Sequence, residues 1–123
     1  MATILVCDDE AVLRALIRAS LDESAHDVVE AKDGEEALEL ARSAPPDLIL
    51  LDMMMPGRSG IEVLAELRGD ARLAGVPVVM LTARTQEADR DAAAVAGATA
   101  FLAKPFSPLE LTTLVEDLLQ ERL

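Results

Sequence analysis

Residues that could handle a charged ligand stand at the ends of four apolar segments of this chain. Asp8 and Asp9 follow the first segment, Asp52 the third, Thr82 the fourth and Lys104 the fifth. Carboxylates that lie close together repel one another, so such a cluster is costly unless a cation shares it. Oxygen ligands without His or Cys favour a hard ion, and Mg²⁺ typically takes one or two carboxylates and keeps several waters. The residue types therefore predict a magnesium site.

Phosphoryl transfer is the chemistry that these residue types would serve. The reaction needs an in-line nucleophile and positive charge on the equatorial oxygens, and little covalent help from the protein. Asp52 can be the nucleophile, Lys104 and the metal can supply the charge, and Thr82 can donate a hydrogen bond to the transferred group. Asp8 and Asp9 would carry the metal, with a backbone carbonyl after Asp52 as a further ligand.

The elements that must position these residues alternate between short apolar segments and segments with helical spacing. Strands are predicted at 3–7, 27–31, 48–51, 76–81 and 99–102. Helical spacing is seen in the first, third and last intervening segments, at Leu13, Ile17 and Leu21, at Ile61, Leu64 and Leu67, and at Leu111, Leu114 or Val115, and Leu118.

Helix ends are also marked in the sequence. Three helix starts have capping-box spacing, at Asp33 and Glu36, Ser59 and Glu62, and Ser107 and Glu110, and Pro108 suits a first helical position. The fourth helix has an Ala-rich face that we expect to pack on the sheet, made of Ala88, Ala92, Val95 and Ala96. Gly97 suits the end of that helix.

Five strands alternating with five helices predict a doubly wound α/β fold, with a parallel sheet covered on both faces. The second segment is the least apolar and suits an edge strand, which gives the strand order 2-1-3-4-5. Ligands bind outside the carboxyl ends of such strands, where the strand order reverses. This order brings the four reactive strand ends together. We expect one domain over residues 1–123, with the last helix ending at the chain end.

Composition narrows the class of protein. The formal net charge of −12, with no basic patch, argues against direct binding of nucleic acid or anionic lipid. No segment approaches the length of a membrane span and no signal peptide is present, so we expect a soluble cytoplasmic protein. The single cysteine, Cys7, cannot form an internal disulfide and reads as a buried thiol.

Four motifs together resemble those of bacterial two-component response-regulator receiver domains, including the stand-alone chemotaxis receivers. They are Asp8-Asp9, Leu51-Asp52-Met53-Met54-Met55-Pro56-Gly57, Thr82-Ala83 and Lys104-Pro105-Phe106. The resemblance covers essentially the whole chain and implies a flavodoxin-like fold.

The resemblance implies a phosphoacceptor and its metal ligands. Asp52 would form the aspartyl phosphate with Mg²⁺ as cofactor. Asp9 would be a direct metal ligand and Asp8 a ligand partly through water. The backbone carbonyl of Met54 would complete the ligands that the protein provides.

The resemblance also implies a phosphoryl-binding pair and a switch. Thr82 and Lys104 would hold the phosphoryl oxygens. Phe101 falls where the family keeps a rotating aromatic side chain, although as Phe it lacks the hydroxyl of Tyr. Thr82 would move towards the phosphoryl group and Phe101 would follow. The Lys104–Pro105 peptide bond is often cis in the family.

The implied partners are a sensor histidine kinase or a phosphotransfer protein, and a downstream target protein. The target would read the face made by the fourth helix, fifth strand and fifth helix, and the protein would be a switch for signal transduction rather than an enzyme. We expect a monomer, because the last helix carries no basic residue before Arg122 where dimeric transcriptional relatives carry several. That region holds Leu109, Thr112, Thr113, Glu116 and Asp117.

Three alternatives stay open at this stage. The chain could be a receiver cut from a larger regulator such as a transcription factor, hybrid kinase or diguanylate cyclase, or a phosphorylation-independent adaptor. A dinucleotide-binding or hydrolytic enzyme is disfavoured because the chain has no G-x-G-x-x-G and no P-loop.

We expect His26 on the surface, far from the site, and Glu10 either capping the first helix or joining the acids. Met54 and Arg84 would tune the lifetime of the phosphoryl group.

Overall fold

The computed structural model describes residues 2–83 and 87–121, with the backbone only for residues 87–89 and 121. Strands and helices alternate throughout. In chain order they are β1 (Thr3–Cys7), α1 (Ala11–Asp22), β2 (Asp27–Ala31), α2 (Gly34–Ser43), β3 (Leu48–Asp52), α3 (Gly60–Gly69), β4 (Val78–Ala83), α4 (Glu87–Ala96), β5 (Ala100–Lys104) and α5 (Pro108–Glu121).

The five strands form one parallel sheet in the order β2-β1-β3-β4-β5. The predicted fold and strand order are confirmed, including β2 at an edge. Cys7 of β1 pairs with Leu51, and Asp52 of β3 pairs with Leu81. Because neighbouring parallel strands run in this register, their carboxyl ends reach the same rim of the sheet.

The helices cover both faces of the sheet over two apolar clusters. One cluster holds side chains of α2, α3 and α4, and the other holds side chains of α1 and α5. In α5, Val115 is fully buried and Leu114 only partly, which resolves the alternative left open by the spacing. Cys7 is fully buried as expected, and burial, followed by the nearby carboxylates, raises the pKa of its thiol to about 12.

The predicted helix starts are observed. Ser59 and Glu62 form a reciprocal capping box, and Ser107 and Glu110 exchange the same two hydrogen bonds before α5. At α2, Asp33 accepts from the Glu36 N–H, but the Glu36 carboxylate accepts from the N–H of Lys32 instead. Gly97, at φ +109°, ends α4 as predicted.

The predicted packing face of α4 is wrong. Ala93 is the fully buried residue, whereas Ala92 is exposed and Val95 is 91% exposed. Ala96 is half-buried, and the side chain of Ala88 lies outside the described residues. Alanines occur on every side of this helix, so hydrophobic spacing could not single out the face that meets the sheet.

The strand limits at the reactive ends also differ from the prediction. β3, β4 and β5 run on to Asp52, Ala83 and Lys104. Asp52, Thr82 and Lys104 therefore lie within the strands, whereas the sequence placed them after the strand ends. At the other end of β4, residues 76 and 77 lie outside the strand, where Pro77 has no N–H to donate. Among the described helices, none is both long and apolar enough to cross a membrane.

Candidate functional site

The carboxyl ends of β1, β3, β4 and β5 surround a pocket of about 250 Å³. Asp8 and Asp9 follow β1, Asp52 and Lys104 are the last residues of β3 and β5, and Thr82 is next to last in β4. The pocket is lined by Asp9, Glu10, Asp52, Met54, Ala83 and Lys104. The structure thus brings together the strand ends that the sequence pattern placed at one rim.

Three carboxylates in this pocket could share a metal ion. Asp8, Asp9 and Asp52 each offer an oxygen, and these oxygens lie within 4.8 Å of one another. Asp8 and Asp52 are buried, whereas Asp9 is exposed. A buried pair of acids with an exposed third suits a hard cation that keeps part of its water shell.

Lys104 is the cation that the structure places against the buried acids. Its ammonium Nζ donates to Asp8 Oδ2 at 2.9 Å and lies 3.2 Å from Asp52 Oδ1. Burial lowers the pKa of Lys104, but its hydrogen bonds and ion pairs with Asp8 and Asp52 outweigh that effect and hold the pKa above its ordinary value. Lys104 therefore stays charged at neutral pH and offsets part of the negative charge.

One cation does not compensate the acids fully. Burial raises the pKa of Asp52 from 3.8 to about 6, and the charge of Asp8 adds to the rise. Lys104 and the Met54 N–H, which donates to Asp52 Oδ1 at 3.3 Å, act in the opposite direction. The pocket is thus short of positive charge, and a divalent cation would supply it.

This imbalance predicts a pH dependence of stability in EDTA. Well below pH 3.8 the Asp52 carboxyl is protonated in both the unfolded and the folded protein. Above about pH 6 it is ionised in both, and in the folded protein burial and Asp8 oppose that ionisation. The protonated Asp52 carboxyl therefore favours the folded protein at low pH, and the free energy of unfolding that it contributes is lost as the pH rises from about 4 to about 6. The raised pKa corresponds to about 3 kcal/mol. We expect Asp52→Asn to unfold in urea with a free energy up to about 3 kcal/mol higher at pH 7.5. Near pH 3.5 the two proteins should converge, and a pH-independent gap would contradict this origin.

Thr82 provides an independent sign that the site accepts a ligand. Its Oγ1 is the one buried side-chain polar atom without a hydrogen-bond partner among the residues that the structure describes. Buried polar groups are normally paired, because an unmade hydrogen bond costs about 1–3 kcal/mol. An oxygen-rich ligand at the strand ends would accept this hydrogen bond.

Phe101 lies in β5 on the same face of the sheet as Thr82. Phe101 pairs in register with Met80, and Thr82, two residues further along β4, projects to the same side. The ring is half-buried against the cluster of α2, α3 and α4. The Arg90 guanidinium carbon lies 5.1 Å from the ring centroid.

The two turns beside the pocket hold the remaining predicted site residues. Met54 is 62% exposed. Its backbone N–H donates to Asp52 Oδ1 at 3.3 Å. The Lys104–Pro105 peptide bond is cis, as the resemblance implies. Glu10 occupies the N-cap position of α1 without a side-chain capping bond, and its Oε1 lies 4.0 Å from Lys104 Nζ. Of its two expected roles, Glu10 therefore takes the place beside the acid cluster. Arg84 lies outside the described residues.

Gly60 supports the site, although it lies in none of the four motifs. It opens α3, and its N–H donates to the Met53 carbonyl at 3.0 Å. A Cβ built there would lie 2.3 Å from the carbonyl oxygen of Asp52 and 2.9 Å from Met53 Cα. Only a glycine lets α3 begin this close to the backbone of the central acid. The available signal was a glycine directly after the cap residue Ser59.

The prediction that His26 is a surface residue is wrong. His26 is 8% exposed, its Nδ1 accepts from the Ala2 N–H at 3.1 Å, and its Nε2 lies 2.6 Å from Glu116 Oε1 on α5. Both ring nitrogens are satisfied, which makes burial of the imidazole tolerable. Glu116 lies 90 residues away in the chain, so no local pattern could reveal this pairing.

Comparisons with known proteins agree with this geometry. The family model for the response regulator receiver domain matches residues 4–116. The chain is 43% identical over 117 residues to the alkaline phosphatase synthesis transcriptional regulatory protein PhoP of Bacillus subtilis, covering 95% of this chain and 48% of PhoP. It is 38% identical to the phosphate regulon transcriptional regulatory protein PhoB of Pseudomonas aeruginosa, covering 96% of this chain and 52% of PhoB. The chain thus spans about half the length of these curated relatives.

Solved structures extend the likeness to proteins of similar length. The chemotaxis response regulator CheY4 of Vibrio cholerae superposes with a TM-score of 0.91 at 32% identity, over 96% of this chain and 98% of CheY4. A response regulator from Chloroflexus aurantiacus gives a TM-score of 0.92, also at 32% identity, over 97% of this chain and 98% of its own.

Receiver domains of this family are phosphorylation-dependent switches of two-component signalling and generally bind Mg²⁺ at an acidic pocket. The present chain has such an acidic group at the strand ends, over a five-stranded sheet of the expected order. Its motifs, its fold and its sequence similarity agree, and the chain belongs to the response regulator receiver domain family.

Proposed function

We propose that this protein is a signalling switch that accepts a phosphoryl group on Asp52 from phosphohistidine. The phosphohistidine would be presented by a sensor histidine kinase or a phosphotransfer protein in the cytoplasm. The observation that supports this most is the convergence of three carboxylates, the Lys104 ammonium and an unpaired Thr82 hydroxyl at one rim of the sheet. This set offers an oxygen nucleophile, a site for a hard cation and positive charge, which are what phosphoryl transfer needs.

The transfer breaks the P–N bond of the donor and forms a P–O bond to the Asp52 carboxylate. Lys104 and the Met54 N–H both contact Oδ1, so they fix the carboxylate plane while Oδ2 attacks. Lys104 then pairs with a phosphoryl oxygen, and Thr82 donates the hydrogen bond that is unmade in the free protein. Asp8, Asp9, Asp52 and the Met54 carbonyl would hold Mg²⁺, which supplies positive charge to the phosphoryl oxygens when bound.

The output of the switch would arise from the movement of Thr82 towards the phosphoryl group. Thr82 and Phe101 lie on one face of the sheet, so a shift of Thr82 leaves room for the ring. This would remodel the surface of α4, β5 and α5, where a downstream protein binds. The domain accepts and loses its own phosphoryl group but turns over no separate substrate.

Uptake of a phosphoryl group by the wild-type protein tests the proposal. Incubation with acetyl phosphate and Mg²⁺ should add one phosphoryl group by intact mass, and EDTA should prevent the addition. Titration with Mg²⁺ alone should show binding, which a phosphorylation-independent adaptor would not need. A wild-type protein that gains no mass under saturating donor and Mg²⁺ would refute the assignment.

Met54 is proposed to prolong the phosphoryl state. Its exposed thioether lines the pocket beside Asp52 but offers no base to orient an attacking water. We expect Met54→Asn and Met54→Glu to lose the phosphoryl group roughly ten-fold faster, short of the ~100-fold of a well-placed general base. Val95→Asn, at an exposed position on α4, is the control. The rate is measured from loss of mass after removal of donor, and equal rates in all variants would contradict the role of Met54.

We also propose that the free domain is a monomer. The exposed residues described on α5 are acidic, polar or apolar, and Glu116 is engaged by His26. Ionic pairing with a second copy through this helix lacks the basic partners that it would need. Sedimentation velocity should give a monomer at both 50 and about 500 mM salt, since screening is already substantial at the higher value. A dimer that dissociates as salt is added would reverse this proposal.

A receiver belonging to a longer regulator is the second candidate. The observation that favours it is that the chain covers 48% to 52% of its transcriptional relatives PhoP and PhoB. In either case we treat residues 1–123 as one receiver domain, and the chemistry proposed for Asp52 is the same. The two candidates differ in what reads the switch: a separate protein or an output domain in the same chain.

A further inference from the structure

Arg90 contacts the ring of Phe101 from α4. The guanidinium carbon lies 5.1 Å from the ring centroid, within the distance of about 6 Å over which a cation is attracted to an aromatic face. Both side chains line a surface cavity of about 270 Å³, together with Asp91 and Ala94. The ring of Phe101 thus borders open space, and Arg90 lines the same cavity.

A phenylalanine can be held by a charged group only through its ring. It has no hydroxyl to donate or accept a hydrogen bond, so the π face is the feature that a polar neighbour can recognise. Arginine is well suited to this contact because its guanidinium is planar, permanently charged and weakly hydrated. Arg90 therefore interacts with Phe101 through the ring face, whereas a tyrosine at this position could also interact through its hydroxyl.

The segment that carries Arg90 is fixed relative to the strand that carries Phe101. Arg68 Nε donates to the Gly97 carbonyl just beyond α4 at 2.8 Å, and its NH1 donates to the Val76 carbonyl before β4 at 2.8 Å. Arg68 also reaches Thr99 Oγ1 at 3.3 Å, next to β5. This anchoring keeps the base of α4 in register with β5, so the separation of Arg90 and Phe101 depends on the side chains.

We propose that Arg90 is a positioning residue that holds the Phe101 ring in its unphosphorylated place and so sets how readily the switch turns. The inference rests on the proposed function of Phe101. A ring that follows Thr82 inward by more than about 1 Å leaves the range of the cation. Loss of an exposed contact of this kind changes a two-state population by about two- to five-fold.

The experiment uses fluorine NMR of the full chain with 4-fluorophenylalanine. The sequence contains two phenylalanines, so two resonances are expected, and Phe106→Leu assigns them. The variants are Arg90→Met, which removes the charge at similar length, and Arg90→Lys, which keeps it. Arg72→Met is the matched control, because Arg72 is exposed on the α3–β4 connection and its loss changes the net charge equally.

The half-saturating concentration of acetyl phosphate is the deciding measurement, because loss of a nearby charge shifts a fluorine resonance whatever the ring does. It should fall about two- to five-fold in Arg90→Met, return towards wild type in Arg90→Lys and not fall in Arg72→Met. Without donor, the Phe101 resonance of Arg90→Met should move along the line towards its phosphorylated position. A folded Arg90→Met variant that matches Arg72→Met in half-saturation overturns the proposal. If wild type takes up no phosphoryl group at all, the proposed function fails and the role of Arg90 in the switch fails with it.

Discussion

The Asp52→Asn variant is expected to take up no phosphoryl group from acetyl phosphate in the presence of Mg²⁺. The amide oxygen of asparagine is a weak nucleophile and cannot form a stable acyl phosphate, whereas its shape nearly matches that of aspartate. The fold should survive, because the substitution removes a buried charge whose pKa is raised to about 6 by burial and by Asp8. Intact mass after incubation, with circular dichroism to show folding, gives the result.

Two matched variants separate the effect of losing the proposed nucleophile from the effects of weakening the proposed metal site and of changing the net charge. Asp9→Asn keeps Asp52 but removes an exposed carboxylate of the acid group, so its uptake should recover as the Mg²⁺ concentration is raised. Asp117→Asn, at an exposed position on α5, should behave as wild type. Phosphoryl uptake by Asp52→Asn at a site within the pocket would show that another residue is the acceptor.

Gly60→Ala is expected to destabilise the fold by about 3 kcal/mol or more, among the largest effects of a single methyl group. The added Cβ would meet the Asp52 carbonyl oxygen at 2.3 Å and Met53 Cα at 2.9 Å, and backbone atoms of a central strand cannot move aside as a flexible side chain does. Any relief must shift either α3 or the strand end that carries Asp52. The molecules that stay folded should therefore also phosphorylate slowly.

Gly75→Ala is the control, since nothing lies within 4 Å of a Cβ at that glycine. Its free energy of unfolding in urea should stay within about 0.5 kcal/mol of wild type. Phosphorylation is then compared per folded molecule under conditions where both variants are native. A Gly60→Ala protein as stable and as reactive as Gly75→Ala would mean that α3 does not constrain Asp52.

The parts of the structure that could be predicted are those set by local pattern and by the rules of parallel sheets. Continuous apolar runs identified the buried strands, and the mixed run at 27–31 identified the edge. Once that order was chosen, Asp8, Asp52 and Lys104 had to meet, because strand ends in parallel register share one rim.

Other features depend on contacts that no local pattern encodes. The prediction of the buried face of α4 was wrong because alanine is small enough to lie on either side of a helix. The sequence pattern therefore could not distinguish Ala93, which is buried, from Ala92, which is exposed. The pairing of His26 with Glu116 joins residues 90 positions apart. The role of Gly60 follows from a backbone-to-backbone approach that is visible only in three dimensions.

The His26 contacts have a consequence for how a partner would detect the switch. Through the imidazole, Glu116 of α5 is linked to the Ala2 N–H beside β1, on the side of the molecule away from α4. We expect α5 to keep its place on the sheet when Phe101 moves, while the Arg90 side chain of α4 loses its contact with the ring. A protein that binds across α4, β5 and α5 would then respond to rearranged side chains on α4 and β5 beside a stationary α5. The surface of α5 would serve as a fixed reference, and labels on the backbones of α4 and α5 should keep their separation when the protein is phosphorylated.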